Sequence, residues 1–197
     1  MEEMGIRVIY PKPNFSKPAK GHEIYPYLLK NAQINRVNQA WSIDITYIRL
    51  KHDFIYLTAI IDWHSRCIVG WELDDTLATP MVLRAVEKAL TMGKPEILNS
   101  DQGSQFTSHD YTDFLKVNQI QISMDGKGRW ADNILIERWF RTLKYEEVYL
   151  KEYLNIKEAR QQIAAFIYTY NYERLHSALD CQAPTTVYQP ALLKKSA

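Results

Sequence analysis

Three carboxylates have the residue types and spacing that metal-dependent phosphate chemistry requires. Asp44 interrupts an alternation of apolar and polar residues that predicts a strand, although strand interiors are depleted in aspartate. Asp101 directly follows the short predicted strand that ends at Ser100, and the carboxyl ends of strands are where α/β sheets place ligands. Glu137 lies near the start of a predicted long helix. Each carboxylate alone would more often cap an element or face solvent, so the prediction depends on their joint occurrence.

The helix that contains Glu137 also carries basic residues. At about 100° per residue, one arc of this helix is apolar, with Leu135, Ile136, Trp139, Phe140 and Leu143. A neighbouring polar stripe contains Glu137, Arg141 and Lys144. The pattern therefore predicts a carboxylate and a cation two turns apart, beside a buried face.

The chemistry that such carboxylates favour is two-metal phosphoryl transfer. Mg²⁺ prefers oxygen ligands, and two ions roughly 3.5 to 4 Å apart stabilise the attacking and leaving oxygens of a phosphodiester displacement. Carboxylates from two strands and one helix supply such ligands without cysteine or histidine, and Mn²⁺ is expected to substitute. Because the carboxylates repel one another, we expect bound metal to stabilise the protein.

The order of predicted elements is βββαβαβαα. The expected strands are Trp41–Tyr47, Phe54–Ile61, Arg66–Leu73, Pro95–Ser100 and Gln119–Ser123. The first two expected helices are one capped by Thr79 and ending at Gly93, and one at Ser108–Val117. After an expected loop at Met124–Ala131, one helix begins at Asp132 and another runs from a capping box at Asn155 and Glu158 to about Asn171. Three hairpin-linked strands followed by βα units predict an α/β fold with a mixed five-stranded sheet flanked by helices. That is the order of the ribonuclease H-like architecture.

The charge distribution is uneven. The 197 residues include 24 Lys plus Arg and 23 Asp plus Glu, and this near-neutral total at first argues against a nucleic-acid binder. Residues 1–40 and 138–197 each carry a net charge of +3, however, whereas residues 41–137 carry −5. Solvated surface charge would explain these counts, but an acidic centre between basic flanks is also typical of a metal-dependent enzyme that acts on a polyanion.

Membrane and export signals are missing from the sequence. The longest apolar run, Phe54 to Ile61, is far shorter than the roughly 20 residues that span a bilayer. No charged segment followed by an apolar one opens the chain, and Cys67 and Cys181 form neither a disulfide framework nor a zinc motif. A cytoplasmic location without membrane contact is the expectation.

Three motifs closely resemble the integrase-core transposases of bacterial insertion sequences, the type made from the second (OrfB) reading frame and related to retroviral integrases. The matching stretches are WSIDITYI from Trp41, NSDQGSQF from Asn99, and DNILIERWFRTLKYE from Asp132. Between Asp101 and Glu137 lie 35 residues, the interval of the D-D-E signature of this family. Lys144 matches the basic residue of the family that contacts the DNA end.

The resemblance implies a DDE recombinase that hydrolyses a phosphodiester at the end of a mobile element and joins the freed 3′-OH to target DNA. Asp44, Asp101 and Glu137 would bind two Mg²⁺ ions, and Lys144 would hold a phosphate. Two alternatives remain open: a ribonuclease H-like nuclease that cuts without joining, and an inactive DNA-binding or oligomerisation remnant of a decayed element.

Further residues are assigned around this site. The residues expected to bind DNA beside Lys144 are Arg138, Arg141, Lys127, Arg129 and Trp130, and for Trp130 anchoring of its loop is an equal alternative. The residues expected to support the site are Gln102, Gly103, Asn133 and Asp132, with Asp132 interpreted as a helix N-cap in preference to a metal ligand.

The resemblance also suggests how the chain is organised. A basic, proline-containing arm or linker is expected over residues 1–40, a catalytic core over residues 41–172, and a tail packed on the core over residues 173–197. The helix-turn-helix segment that precedes the core in this family is not found, so a companion helix-turn-helix protein or domain is expected. Pairing of two DNA ends makes a homo-oligomer the expected assembly, located at the bacterial nucleoid when bound to DNA.

Overall fold

The structure, a computed structural model, describes residues 23–126 and 133–189 of the chain. Its strands are β1 (Ala40–Arg49), β2 (Phe54–Asp62), β3 (Ile68–Asp74), β4 (Ile97–Ser100) and β5 (Gln121–Met124). Its helices are α1 (Thr79–Met92), α2 (His109–Val117), α3 (Ile134–Glu146), α4 (Ile156–Tyr172) and α5 (Pro184–Tyr188), with short 3₁₀ turns at Val148–Leu150 and Ser177–Leu179. Among the described residues, no helix combines the length and the apolar character needed to cross a bilayer.

The five strands form one mixed sheet in the order β3-β2-β1-β4-β5. The pairs β1–β2 and β2–β3 are antiparallel, as short connections require, whereas β1–β4 and β4–β5 are parallel. Helices α1 and α2 provide the crossovers that parallel strands need. The predicted mixed five-stranded sheet flanked by helices is confirmed.

Three strands begin later than their residues predicted, and one of them is β4, which begins at Ile97 instead of Pro95. β3 begins at Ile68 instead of Arg66, and β5 begins at Gln121 instead of Gln119. Arg66 and Gln119 have φ angles of 63° and 56°, and this left-handed conformation cannot continue a strand. Both residues therefore belong to the turns that precede the strands.

Two helix caps also differ from the prediction. α1 begins at Thr79 itself, and its N-cap is Ala78. The Thr79 hydroxyl donates to Ser108 Oγ (3.3 Å) instead of capping the helix. At α3 the N-cap is Asn133, one residue after the predicted Asp132, which lies outside the described residues.

The predicted capping box at the start of α4 is confirmed in its essentials. The Asn155 side chain accepts a hydrogen bond from the Glu158 backbone N–H (3.0 Å), and Glu158 Oε2 accepts one from the Leu154 N–H (2.8 Å). Two backbone donors at the helix start are thereby satisfied reciprocally.

The sheet separates two apolar clusters. On one face, Trp41 and Ile43 of β1 pack with buried residues of α1 and α2. On the other face, Ile48 of β1 and the inward residues of β2 pack with the apolar faces of α3 and α4. Because side chains alternate along a strand, Asp44 shares the parity of Ile48 and is directed to the face that α3 covers.

The described part of the N-terminal segment, residues 23–39, lies against the sheet. The Leu28 N–H donates to Ser123 Oγ (3.0 Å), and Leu29 is buried. The Asn38 N–H donates to Asp62 Oδ2 (2.8 Å), a fully buried carboxylate that also accepts from the Trp41 indole (3.2 Å). These contacts attach the segment to the core at Leu28 and Leu29 and again at Asn38.

Candidate active site

Three aspartates lie at equivalent positions of adjacent parallel strands. β1 and β4 are in register with Ser42 opposite Asn99, so continuing this register by two residues brings Asp44 beside Asp101. β4 and β5 are in register with Ser100 opposite Met124, and the next pair along is Asp101 and Asp125. We call Asp44, Asp101 and Asp125 the acidic row.

Asp44 and Asp101 line the same cavity, which has a volume of about 230 Å³. Asp44 is half-buried, and its Oδ1 accepts a hydrogen bond from the Ile45 N–H (2.7 Å). Burial raises the pKa of Asp44 from 3.8 to about 7; the Ile45 hydrogen bond opposes this rise, and the charges of Asp101, Glu137 and Asp125 add to it. The negative charges of the other three carboxylates therefore all act on Asp44.

Asp101 is oriented by the turn that follows it. Its Oδ1 accepts a hydrogen bond from the Gly103 N–H (2.8 Å), while the side chain remains exposed. A Cβ atom at position 103 would lie 2.9 Å from Asp101 Oδ1 and 3.3 Å from Gln105 Oε1. A side chain at position 103 would therefore displace the Asp101 carboxylate from its present orientation.

Glu137 approaches from above the sheet, on the first turn of α3. The helix is held by Ile136, Trp139 and Phe140, which are buried against β2, and Glu137 is exposed beside this apolar face. Within residues 23–126 and 133–189, no three acidic, histidine or cysteine side chains are grouped closely enough to hold one metal ion. Glu137 does not line the cavity that Asp44 and Asp101 share, but its charge acts on Asp44.

Lys144 lies two turns after Glu137, in the last turn of α3. Its Nζ lies 4.5 Å from the centre of the Tyr47 ring, and Tyr47 is three residues after Asp44 in β1. Partial burial lowers the pKa of Lys144 while the Asp44 charge raises it. A cation–π contact with Tyr47 and the field of Asp44 together hold the ammonium group beside the acidic cavity.

Asp125 was missed by the sequence interpretation, which assigned it to a loop. Its Oδ1 accepts from Asn99 Nδ2 (2.7 Å), and Asn99 Oδ1 in turn accepts from Ser123 Oγ (2.8 Å), with Asn99 and Ser123 fully buried. The signal that could have identified it is its position directly after a short apolar strand, the position that Asp101 has after β4.

The remaining predicted residues divide into three groups. Arg138 and Arg141 are exposed on α3, and the Arg141 guanidinium lies 5.7 Å from the Tyr145 ring centre. Gln102 donates to the Asp125 carbonyl (2.8 Å), and Asn133 is buried with no hydrogen-bond partner for its Oδ1 among the described residues. The others lie outside the described residues: Lys127, Arg129, Trp130 and Asp132.

Two family models, both described as "Integrase core domain", match the chain. One matches residues 34–129 and the other residues 118–184, so together they extend across the sheet, the acidic row and α3.

Curated relatives are transposases of insertion sequences. The chain is 37% identical over 151 residues to the transposase for insertion sequence element IS904 of Lactococcus lactis subsp. lactis (strain IL1403), a match that covers 75% of this chain and 60% of the relative. It is 33% identical over 144 residues to the transposase InsF for insertion sequence IS3A of Escherichia coli (strain K12), with 71% of this chain and 50% of the relative covered. The chain thus spans about half to three fifths of the length of these relatives.

Solved structures with the same fold include retroviral integrase cores. The HTLV-2 integrase catalytic core domain in complex with magnesium (dimeric form) superposes with a TM-score of 0.64 at 19% identity, covering 79% of this chain and 99% of that one. The catalytic core domain of BIV integrase gives a TM-score of 0.60 at 17% identity, with 81% and 99% covered. The expected ribonuclease H-like fold is confirmed, and the chain belongs to the integrase core domain family, with insertion-sequence transposases among its relatives.

Proposed function

We propose that the chain is the catalytic core of a DDE transposase, which cleaves the 3′ end of a mobile element and transfers it to target DNA. The observation that carries the proposal is the cavity in which Asp44 and Asp101 meet, together with Glu137 and Lys144 on one stripe of α3, whose charges both act on Asp44. This arrangement combines oxygen ligands with a cation at one open surface of the sheet.

The donor set fits the proposed cofactor, two Mg²⁺ ions with Mn²⁺ as a substitute. All the side chains concerned are carboxylates, the ligands that hard divalent cations prefer. Burial raises the pKa of Asp44 to about 7, and the negative charges of Asp101, Glu137 and Asp125, which add to this rise, are charges that a cation would compensate. Asp44, Asp101 and Glu137 would hold the metal, which when bound activates the attacking oxygen and stabilises the leaving oxygen.

The proposed reaction has two displacement steps at phosphorus. In the first, a water oxygen bonds to the phosphorus at the element end, and the bond to the 3′ oxygen breaks, leaving a 3′-OH. In the second, that 3′ oxygen bonds to a target phosphorus, its proton passes to solvent, and a target 3′-OH leaves. No side chain forms a covalent bond to DNA, so the protein's part is to position the reactants and compensate charge.

Lys144 is assigned to the phosphate next to the reacting bond. Lys144→Ala is expected to weaken binding of element-end DNA and to reduce the slope of log Kd against log salt by about one unit. Fluorescence anisotropy of labelled duplexes at several salt concentrations measures this slope. The matched control is Lys151→Ala, because Lys151 Nζ is already paired with Glu147 Oε1 at 2.9 Å. An equal change of slope in both variants would contradict the assignment.

Gly103→Ala tests the orientation of Asp101. The added Cβ would displace the Asp101 carboxylate, which it approaches to 2.9 Å, and we expect DNA joining to fall about 10- to 100-fold. Global stability should change by less than about 1 kcal/mol, since the clash is with an exposed side chain. Wild-type joining rates in a folded Gly103→Ala protein would show that the Asp101 orientation has no part in the reaction.

The proposed partners are the element ends and the target DNA, contacted also by Arg138 and Arg141 and by Lys127, Arg129 and Trp130, which precede α3 in the sequence. Residues 41–172 form the catalytic core of this proposal, flanked by residues 1–40 and 173–197. A homo-oligomer would pair two DNA ends, a companion helix-turn-helix protein or domain would recognise their sequence, and the reaction would occur at the nucleoid in the bacterial cytoplasm.

The experiment that tests the function supplies two DNA substrates. One carries an intact element end, and the other carries a pre-cleaved end with a free 3′-OH, each with Mg²⁺ and a supercoiled target plasmid. Joined products from the pre-cleaved end support a transposase core. Cutting of the intact end without joining would support the nuclease alternative, and neither reaction would support an inactive remnant.

A further inference from the structure

A second cavity lies on a different face of α3 from Glu137. It has a volume of about 220 Å³ and is bordered by the β2–β3 turn, α3 and the segment after α4. We call it the basic cleft, after the charged residues that line it: Arg66, Arg138, Arg174 and His176. At about 100° per residue, Arg138 lies one step around the helix from Glu137, outside the stripe that Glu137 shares with Lys144.

Three buried polar atoms of the cleft residues have no hydrogen-bond partner in the described structure: Arg66 Nη1, Trp139 Nε1 and His176 Nε2. Guanidinium and indole nitrogens act only as donors, and the imidazole nitrogen can donate as well. Leaving a buried donor unsatisfied costs about 1–3 kcal/mol, and such groups are few in native proteins. Their concentration in one cavity indicates that an acceptor belongs there.

The charge of the cleft indicates that the acceptor is an anion. Arg174 is compensated by Glu146, with Nη2 and Oε1 2.8 Å apart. Arg66 and Arg138 form no ion pair with any described acidic residue. Burial and the charge of Arg138 lower the pKa of Arg66, and burial together with Arg174 and Arg66 lowers the pKa of His176. The Arg66 and Arg138 cations repel each other, and a bound anion would remove that repulsion.

The size and chemistry of the cleft fit a tetrahedral oxyanion. Its 220 Å³ is several times the roughly 30 Å³ that one water occupies, so it admits a group larger than water. Arginine forks match the paired oxygens of a phosphate. We propose that the basic cleft binds a phosphate group, and that its source is the DNA backbone, a choice of source that rests on the proposed function.

The consequence is a DNA contact separate from the reacting phosphate. Because Lys144 and Arg138 lie on different faces of α3, a strand held by both would pass around this helix. The cleft would then fix the path of the DNA while leaving the acidic cavity open for the reaction.

Two variants test the cleft. Arg66→Asn is chosen because Arg66 has a φ of 63°, and asparagine tolerates this left-handed conformation better than most residues. Arg138→Gln changes an exposed side chain, so it keeps the test valid if the first variant folds poorly. The matched control is Arg36→Gln, since Arg36 is paired with Glu96 at 2.8 Å on another part of the surface.

The first measurement is thermal unfolding in EDTA with increasing inorganic phosphate, at an ionic strength held constant with chloride. We expect Tm of wild type and Arg36→Gln to rise with phosphate, and the rise to be lost in both cleft variants. The second is anisotropy of labelled duplex DNA in EDTA, in which each cleft variant should lower the salt slope by about one unit.

The outcomes separate the possible sources of the phosphate. Both effects together support a DNA phosphate in the cleft. A phosphate effect without a DNA effect supports an oxyanion site but overturns DNA as its source, and the absence of both overturns the proposal. Since neither measurement needs catalysis, failure of the joining reaction would overturn the proposed function without affecting this test.

Discussion

Asp44→Asn, Asp101→Asn and Glu137→Gln are each expected to lower the rate of DNA joining by at least about 10³-fold, equivalent to about 4 kcal/mol in the activation barrier. Each change keeps the size of the side chain but removes a negative oxygen from the proposed metal site. Joining of a pre-cleaved end in Mg²⁺, measured in single-turnover conditions, gives the rate.

The control for these variants is Asp113→Asn, the same substitution at an exposed position of α2. It should join DNA at the wild-type rate, and all four proteins should unfold cooperatively and bind duplex DNA in EDTA. Retained joining in any one of the three site variants would remove that residue from the proposed site.

Metal-free Asp44→Asn is expected to be more stable than metal-free wild type at pH 8, by about 2 kcal/mol. The pKa of Asp44 is raised to about 7 from 3.8, so ionisation of this group disfavours the folded state. The stability that protonated Asp44 contributes to the folded protein is complete below about pH 4 and is lost as the pH rises through about 7. This difference in the free energy of unfolding is about half of the value that a pKa shift of three units would give if it were expressed in full.

The difference should therefore vanish near pH 4, and Mg²⁺ should reverse it at pH 8 by stabilising the wild type alone. Thermal and denaturant unfolding at the two pH values, with and without Mg²⁺, measure these effects. Asp53→Asn is the matched control, because Asp53 also accepts its neighbour's N–H (2.8 Å) but is exposed. If the stability of both variants depended on pH in the same way, burial in the acidic cavity would not control the pKa of Asp44.

Periodicity and turn chemistry predicted the sheet correctly, because local rules decide these elements. Hairpin-length connections require antiparallel neighbours, and helical crossovers require parallel ones. The errors occurred where tertiary contacts decide the boundary. Arg66 and Gln119 resemble strand residues but adopt left-handed turns, and the Thr79 hydroxyl bonds to Ser108 instead of capping its helix.

The site was predictable only in part, for a related physical reason. Asp44, Asp101 and Glu137 could be named from their motifs, but their separation along the chain gives no distances. The acidic row depends on the register of three parallel strands, which sequence alone does not specify, and Asp125 was missed for that reason. The basic cleft is harder still to predict, because Arg66, Arg138 and His176 come from three distant segments.

The charge distribution acquires a physical meaning in the structure. The net charge of −5 over residues 41–137 includes the acidic row and Glu137, whereas Lys144, Arg138 and Arg174 belong to the basic C-terminal part. Helix α3 spans the boundary between the acidic part and the basic part of the chain, with Glu137 in its first turn and Lys144 in its last turn. A near-neutral total thus conceals an acidic cavity and basic surfaces at different places on the molecule.

Direct measurement of metal binding tests the central claim, that the Asp44–Asp101 cavity is a divalent-metal site. Mn²⁺ would be titrated into wild type, into the double variant Asp44→Asn/Asp101→Asn, and into the control Asp53→Asn, with free Mn²⁺ followed by electron paramagnetic resonance. We expect saturable Mn²⁺ binding to wild type and the control, competed by Mg²⁺ and lost in the double variant. Undiminished Mn²⁺ binding by a folded double variant would contradict it.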